Sequence, residues 1–167
     1  MKHVIINGTK IFFPDGENEK KFAICTFEEI FNQKIYGKIN IGDIILDCGS
    51  NIGLFALSAL NNNANKIICI DPNDKVVESF RYNTGVNNEK IIFYKNALWN
   101  KSNLKLNLDP YYFTAGAQIT KKFSEKNCIV ETITIDDVIK ELNLPKVDLI
   151  KMDIEGSEEN ALIGAKE

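Results

Sequence analysis

The densest group of chemically capable residues is Asp47-Cys48-Gly49-Ser50-Asn51-Ile52-Gly53, set between the apolar run Ile44-Ile45-Leu46 and a helical pattern from Leu54. Gly49 permits a tight turn after a strand, and Gly53 permits close approach of a helix and a ligand. The N-terminus of that helix offers free N–H groups and positive potential to an anionic group such as a carboxylate. In isolation the segment reads equally well as a glycine-rich turn that binds nothing. A second acid, Asp71, closes the next apolar run, 24 residues after Asp47. Its carboxylate can accept from two ribose hydroxyls, each charged bond being worth roughly 1.5–3 kcal/mol. An aspartate before Pro72 also starts turns well. Loop and acid together favour a nucleoside-like ligand.

A third group is Asp148-Leu-Ile-Lys151-Met-Asp153-Ile-Glu155-Gly156-Ser-Glu158. Lys151 and Asp153 are two apart on an expected strand, so their side chains share one face near its C-terminal end. Open α/β sheets bind ligands at that end. The plain alternative is a Lys–Asp ion pair followed by acids that favour a helix start, and for Glu158 that alternative is preferred. Asp153 and Glu155, with Lys151, are the catalytic candidates. The chain has one histidine, His3, so a general base must be a carboxylate, a lysine or a tyrosine. A metal held by Asp153 and Glu155 is a minor alternative, and no metal site is expected.

These residues need a scaffold, and the pattern supplies one. Short apolar runs at 44–46, 66–70, 91–94 and 147–152 alternate with helical patterns at 54–60, 75–83 and from 157. That alternation is the signature of a parallel sheet in an α/β domain. Ahead of it, Val4–Ile6 and Lys10–Phe13 flank the pair Asn7-Gly8, a hairpin signal. A loop at 15–21 and a helix over 26–34 with Thr26 as N-cap are expected next. Residues 98–108 read as a hairpin tipped by Asn100–Asn103, and 117–120 and 129–133 as further strands. Residues 109–116 read as an exposed loop whose Tyr111, Tyr112 and Phe113 are available for an acceptor pocket or for packing. Thr134 caps a short helix at 136–142. Two parts follow: a hairpin and helix lead-in over 1–40, and a core over 41–167.

Bulk properties narrow the classes. The 167 residues suit one domain. The net charge of -3, without any basic stretch, speaks against nucleic-acid backbone as a partner. Apolar runs are too short to span a bilayer, and no secretory segment opens the chain. A cytoplasmic location is the expectation. Cys25, Cys48, Cys69 and Cys128 are scattered without a Cys-x-x-Cys pair, and three lie in or beside apolar runs, so buried thiols are favoured over a disulfide or metal frame.

The combination Asp47-Cys-Gly-Ser-Asn-Ile-Gly53, Ile70-Asp71-Pro72-Asn73, Thr134-Ile-Asp136-Asp137 and Asp148 to Glu158 resembles the FkbM family of methyltransferases. Glu29-Ile-Phe31 and Tyr36 resemble its lead-in, so the likeness runs from about residue 26 onward. The Asp-x-Gly-x-x-x-Gly spacing is that of class I methyltransferases, against the Gly-x-Gly-x-x-Gly of dinucleotide domains. The resemblance implies a Rossmann-like, doubly wound, mostly parallel sheet with S-adenosylmethionine as cofactor. The implied reaction is O-methylation of a sugar, glycan or secondary metabolite. It places Asp47, Gly49, Asn51 and Gly53 by the methionine part, Asp71 by the ribose and Asn96-Ala97 by the adenine, with Ser50, Pro72 and Asp153 also expected to bind the cofactor. Asp153 and Glu155 then face the methyl. The family more often has Glu at position 71. Its core also carries further strands, so the sheet is expected to be incomplete at its C-terminal side. That would leave an apolar edge and a reason for self-pairing. A small-molecule or glycan acceptor is implied, with no nucleic acid and no membrane. The binding-class alternative is a truncated or degenerate adenosine-ligand domain without chemistry. Adenine amino-methylation is disfavoured, because Asp153-Ile-Glu155-Gly156 replaces the Asn/Asp-Pro-Pro-aromatic motif.

Overall fold

In the computed structural model, residues 1–85, 87–109, 116–120 and 128–166 are described. At the centre is a parallel four-stranded sheet built from β3 (Ile44–Cys48), β4 (Lys66–Ile70), β5 (Ile91–Tyr94) and β10 (Leu149–Met152). The spatial order is β10-β3-β4-β5, so the last strand in sequence lies beside the first. Every residue of β3 is buried, as befits a strand flanked on both sides and covered on both faces.

The period-2 alternation of these strands feeds two cores. On one face Ile45, Ile67 and Cys69 pack with Leu54 and Phe55 of α2 (Leu54–Asn61) and Phe80 of α3 (Val77–Thr84). On the other, Leu46, Ile68 and Ile70 meet Val138 of α4 (Ile135–Glu141) and Ala161 of α5 (Glu158–Ile163). Each fully buried isoleucine contributes about 1.5–3 kcal/mol of apolar burial, which holds the sheet between its two helical layers.

The N-terminal hairpin forms as expected. Strands β1 (Lys2–Ile6) and β2 (Thr9–Phe13) pair antiparallel around Asn7-Gly8. Both turn residues have positive φ, 49° and 79°, the conformation that an Asn-Gly pair tolerates best. The following helix does not begin at Thr26. Helix α1 spans Glu17–Phe27 and runs on through a π-helical turn, Glu28–Gln33. Thr26 is inside it, and part of the expected 15–21 loop is helical. The cause is burial: Ala23, Phe27 and Ile30 share the first core with Ile11 and Phe13, extending the apolar face a turn and more upstream.

A second correction concerns residues 98–108. Strand β6 (Ala97–Leu98) and β7 (Lys105–Asp109) do not pair with each other; both flank β9 (Cys128–Ile133), and β8 (Gln118–Thr120) pairs with β7. Thr132 holds the arrangement, its hydroxyl donating to the Lys101 carbonyl at 2.7 Å and accepting from the Leu104 N–H at 2.9 Å. A polar side chain from a distant strand thus replaces the local partner that alternation suggested. Thr134 caps α4, accepting from the Asp137 N–H at 3.0 Å. The expected loop at 109–116 lies, apart from its two ends, outside the described residues.

Candidate active site

The Gly-containing loop is tied down from three sides. The Gly49 N–H donates to the Ile70 carbonyl at 2.8 Å, at the end of the neighbouring strand. The Asn51 N–H donates to Asp71 Oδ2 at 2.8 Å. The Asp153 N–H donates to the Cys48 carbonyl at 3.0 Å. Strand ends β3, β4 and β10 thereby converge on one loop. Gly49 has φ +80°, and a Cβ built on it would stand 1.9 Å from the Asp153 carbonyl oxygen. Glycine is needed here so that the end of β10 can cross directly behind the loop.

One cleft of about 240 Å³ opens above these ends. Gly49, Ser50 and Asn51 line it together with Asp71 and Pro72. Asn96 and Ala97 border it as well, and so do Lys151, Asp153 and Glu155. Ten of the sequence-derived site residues are therefore brought to one hollow. Asp47 and Gly53 are not. Gly53, at φ +83°, lies against α3: a Cβ there would meet Phe80 Cδ2 at 2.8 Å and Thr84 Cγ2 at 2.9 Å. Its smallness lets α3 pack closely here. Asp47 shares the parity of Ile45 and is fully buried beneath the loop.

Lys151 stands opposite Asp47 in the register of β10 against β3. Its Nζ lies 3.3 Å from Asp47 Oδ1 and donates to the Gly49 carbonyl at 2.5 Å and the Cys48 carbonyl at 3.4 Å. The ammonium thus hydrogen-bonds two loop carbonyls and pairs by charge with Asp47, whose oxygens have no hydrogen-bond partner of their own among the described residues. Lys151 pairs with Asp47, in place of the Asp153 pairing that sequence suggested, and holds the loop from beneath. Burial pushes the Asp47 carboxyl up, against the pull of Lys151.

Asp153 is instead held by Tyr36, whose hydroxyl donates to Asp153 Oδ2 at 2.8 Å. The Tyr36 ring meets Phe55 edge-on at 5.5 Å. Burial and the Asp153 contact raise the phenol well above its ordinary range. Glu155 adopts φ 54°, an uncommon state for a non-glycine residue that concentrates at functional sites. Partial burial, with the charges of Asp153 and Glu158, holds its carboxyl above the usual range. Glu158 Oε1 accepts the Ile154 N–H at 3.0 Å, so it braces the loop from the helix start, as expected. His3 sits in the hairpin against Phe12, with ring centroids 5.8 Å apart, and does not line the cleft. The thiols are free: Cys48 and Cys69 are buried, Cys25 and Cys128 exposed. Among the described residues no group of three His, Cys, Asp or Glu is arranged to hold a metal.

Residues 47–167 match the methyltransferase FkbM domain. The chain belongs to that family. An S-adenosylmethionine dependent methyltransferase candidate from Listeria monocytogenes, known as a crystal structure, is 16% identical with a TM-score of 0.38. The match covers 44% of this chain and 33% of that one, so the chain spans about a third of the length of that protein. No curated protein matches.

S-adenosylmethionine is the cofactor that FkbM membership implies, and the cleft fits it in its donors. Ser50 Oγ and Asn73 Nδ2 are both buried in the cleft wall without a hydrogen-bond partner. Buried polar atoms are nearly always satisfied, so two orphans on one wall mark where a polar ligand belongs. In the sequence Asn73 stands only as the end of the Ile70-Asp71-Pro72-Asn73 motif and Tyr36 only as part of the lead-in. No local pattern marks Tyr36 as a site residue, because it meets its partner across 117 residues.

Asp71 gives this FkbM domain a pH signature. Burial, only partly offset by the Asn73 and Asn51 N–H groups, pushes its carboxyl up to about 6. The folded value lies above the unfolded one, so the native state binds the proton more tightly. Ligand-free stability should therefore rise as pH falls from about 7 towards 5. On the expectation that Asp71 accepts from the ribose hydroxyls, affinity for S-adenosylhomocysteine should fall over the same range, by up to about tenfold per pH unit below 6. Asp71→Asn should weaken binding about tenfold or more and flatten both profiles. Calorimetry and thermal melting across pH check this; profiles of the same sign would be incompatible with it.

Proposed function

We infer that this chain carries the cofactor-binding and reacting part of an S-adenosylmethionine-dependent O-methyltransferase, on a Rossmann-like, doubly wound sheet. The acceptor is a hydroxyl of a sugar, glycan or secondary metabolite. The observation that carries the reading is the meeting of the 49–51 loop, Asp71 and Asp153 on one cleft. The order β10-β3-β4-β5, with helices on both faces, supports it. No helix among the described residues is long and apolar enough to cross a membrane. That suits the cytoplasmic small-molecule or glycan enzyme that we favour.

The chemistry supplied by bound S-adenosylmethionine is an electrophilic methyl on a sulfonium. The protein's task is to align an oxygen with it, and positioning is the largest contribution such a site makes. Asp153 extends from β10 over the loop, with Oδ2 fixed by Tyr36. Oδ1 is left to accept the proton of an incoming hydroxyl, a contribution of about 10²–10⁴ in rate. Glu155, from its strained backbone position, orients the acceptor beside it. Lys151 works from below by holding the Gly49 carbonyl.

The test is calorimetry with S-adenosylmethionine, followed by turnover on a panel of hydroxylated sugars and metabolites. The wild-type chain should bind at one site. Asp153→Asn should keep that affinity nearly intact and lose turnover by about 10²-fold or more. Wild-type protein that binds nothing would refute the reading, and binding without turnover on any acceptor would leave an adenosine-ligand domain in its place.

A further inference from the structure

Strand β4 ends at Ile70, and Asp71-Pro72-Asn73 turns the chain into a 3₁₀ segment, Asp74–Val76. Asn73 Oδ1 accepts the Lys75 N–H at 3.1 Å. That contact decides which way round the amide lies, because only its oxygen can accept. The amide nitrogen is therefore turned away from the 3₁₀ segment. It is buried, Asn73 being 4% exposed, and has no partner among the described residues. Leaving such a donor unpaired costs about 1–3 kcal/mol, yet the cap alone could be supplied by a serine without that cost.

Asn73 borders the same cleft as Asp71. The two are locked side by side, since the Asn73 N–H donates to Asp71 Oδ1 at 2.9 Å. A carboxylate that can only accept thus adjoins an amide nitrogen that can only donate. We propose that Asn73 and Asp71 read a vicinal diol as a pair: one ribose hydroxyl donates to Asp71, and the oxygen of its neighbour accepts from Asn73 Nδ2. This rests on the adenosine reading of the cleft. It makes Asn73 a specificity-determining residue for the intact ribose. A deoxy or phosphorylated sugar leaves the donor unpaired or sets a second anion against Asp71.

The variant that tests it is Asn73→Ser in the full chain, which keeps a capping oxygen and removes the long donor. The probes are S-adenosylhomocysteine and its 2′-deoxy and 3′-deoxy analogues, titrated by calorimetry alongside thermal melting. Asn73→Ser should bind S-adenosylhomocysteine about tenfold more weakly. One deoxy analogue should bind wild type and variant alike, because the interaction is already missing from it. The ligand-free melting temperature should stay level or rise, since a buried orphan has gone. Equal affinity of both proteins for S-adenosylhomocysteine overturns the proposal. So does an equal loss for all three ligands with a lowered melting temperature, which would make Asn73 structural. Wild type that binds S-adenosylhomocysteine and both analogues equally well overturns the diol pairing while leaving the adenosine site standing. Wild type that binds none of the three overturns the adenosine reading and this pairing with it.

Discussion

Gly49→Ala should lower the melting temperature by about 10 °C or more and abolish measurable binding of S-adenosylhomocysteine. Two costs add at this position. An alanine at φ +80° pays for a left-handed backbone, about 1–2 kcal/mol. Its methyl would also stand 1.9 Å from the Asp153 carbonyl oxygen and 2.8 Å from the carbonyl carbon. Neither atom is the free end of a flexible side chain, so the backbone of the loop or of β10 must move, costing roughly 1–3 kcal/mol more. For a chain of this size each kcal/mol shifts the transition by about 2–4 °C. Gly156→Ala is the matched control. It has the same backbone sign, φ +89°, and nothing within 4 Å of the added carbon, so only the conformational cost applies. Thermal melting of the two variants separates the effects, and equal shifts would show that the contact with Asp153 is unimportant. The binding loss has a distinct cause. Moving the loop away from Asp153 separates the cofactor end of the cleft from the reacting end.

The parts of this site that sequence made legible were those encoded locally. Asn51 is in a left-handed turn, φ 46°, within the glycine segment that announced it, and Asp71 follows its strand directly. The succession of short parallel strands was also readable, and their C-terminal ends are where ten of the expected residues meet in one cleft. What was lost depended on facing. Asp47 looks like a site acid in a linear motif, but its parity with Ile45 turns it under the loop. Gly53 reads as room for a ligand, whereas the space is taken by Phe80 from a helix well downstream. The expected hairpin at 98–108 failed for a similar reason, because alternation gives strands but not partners. Thr132, from a strand some 30 residues on, supplied the decisive hydrogen bonds. Tyr36 could be found only by placing the lead-in over β10, which no local signal requires.

The burial of Asp47 leads to the second large effect. Lys151→Met should destabilise the chain by about 3–5 kcal/mol, because it strips a carboxylate with 0% exposure of its only ion-pair partner among the described residues. Pairing it with Asp47→Asn should recover most of that loss, since a buried charge is no longer left uncompensated. Affinity for S-adenosylmethionine should not recover with it. The ammonium also grips the carbonyls of Gly49 and Cys48, and neither methionine nor asparagine at these positions restores those bonds to the loop. Stability and binding should therefore part company in the double variant: melting near wild type, with calorimetric affinity still reduced about tenfold or more. A lysine whose role were proton transfer would give the opposite pattern. Both variants would then bind the cofactor normally, and only turnover would disappear. The donor geometry argues for the first outcome, because the ammonium is held beneath the loop by the Gly49 and Cys48 carbonyls and the charge of Asp47.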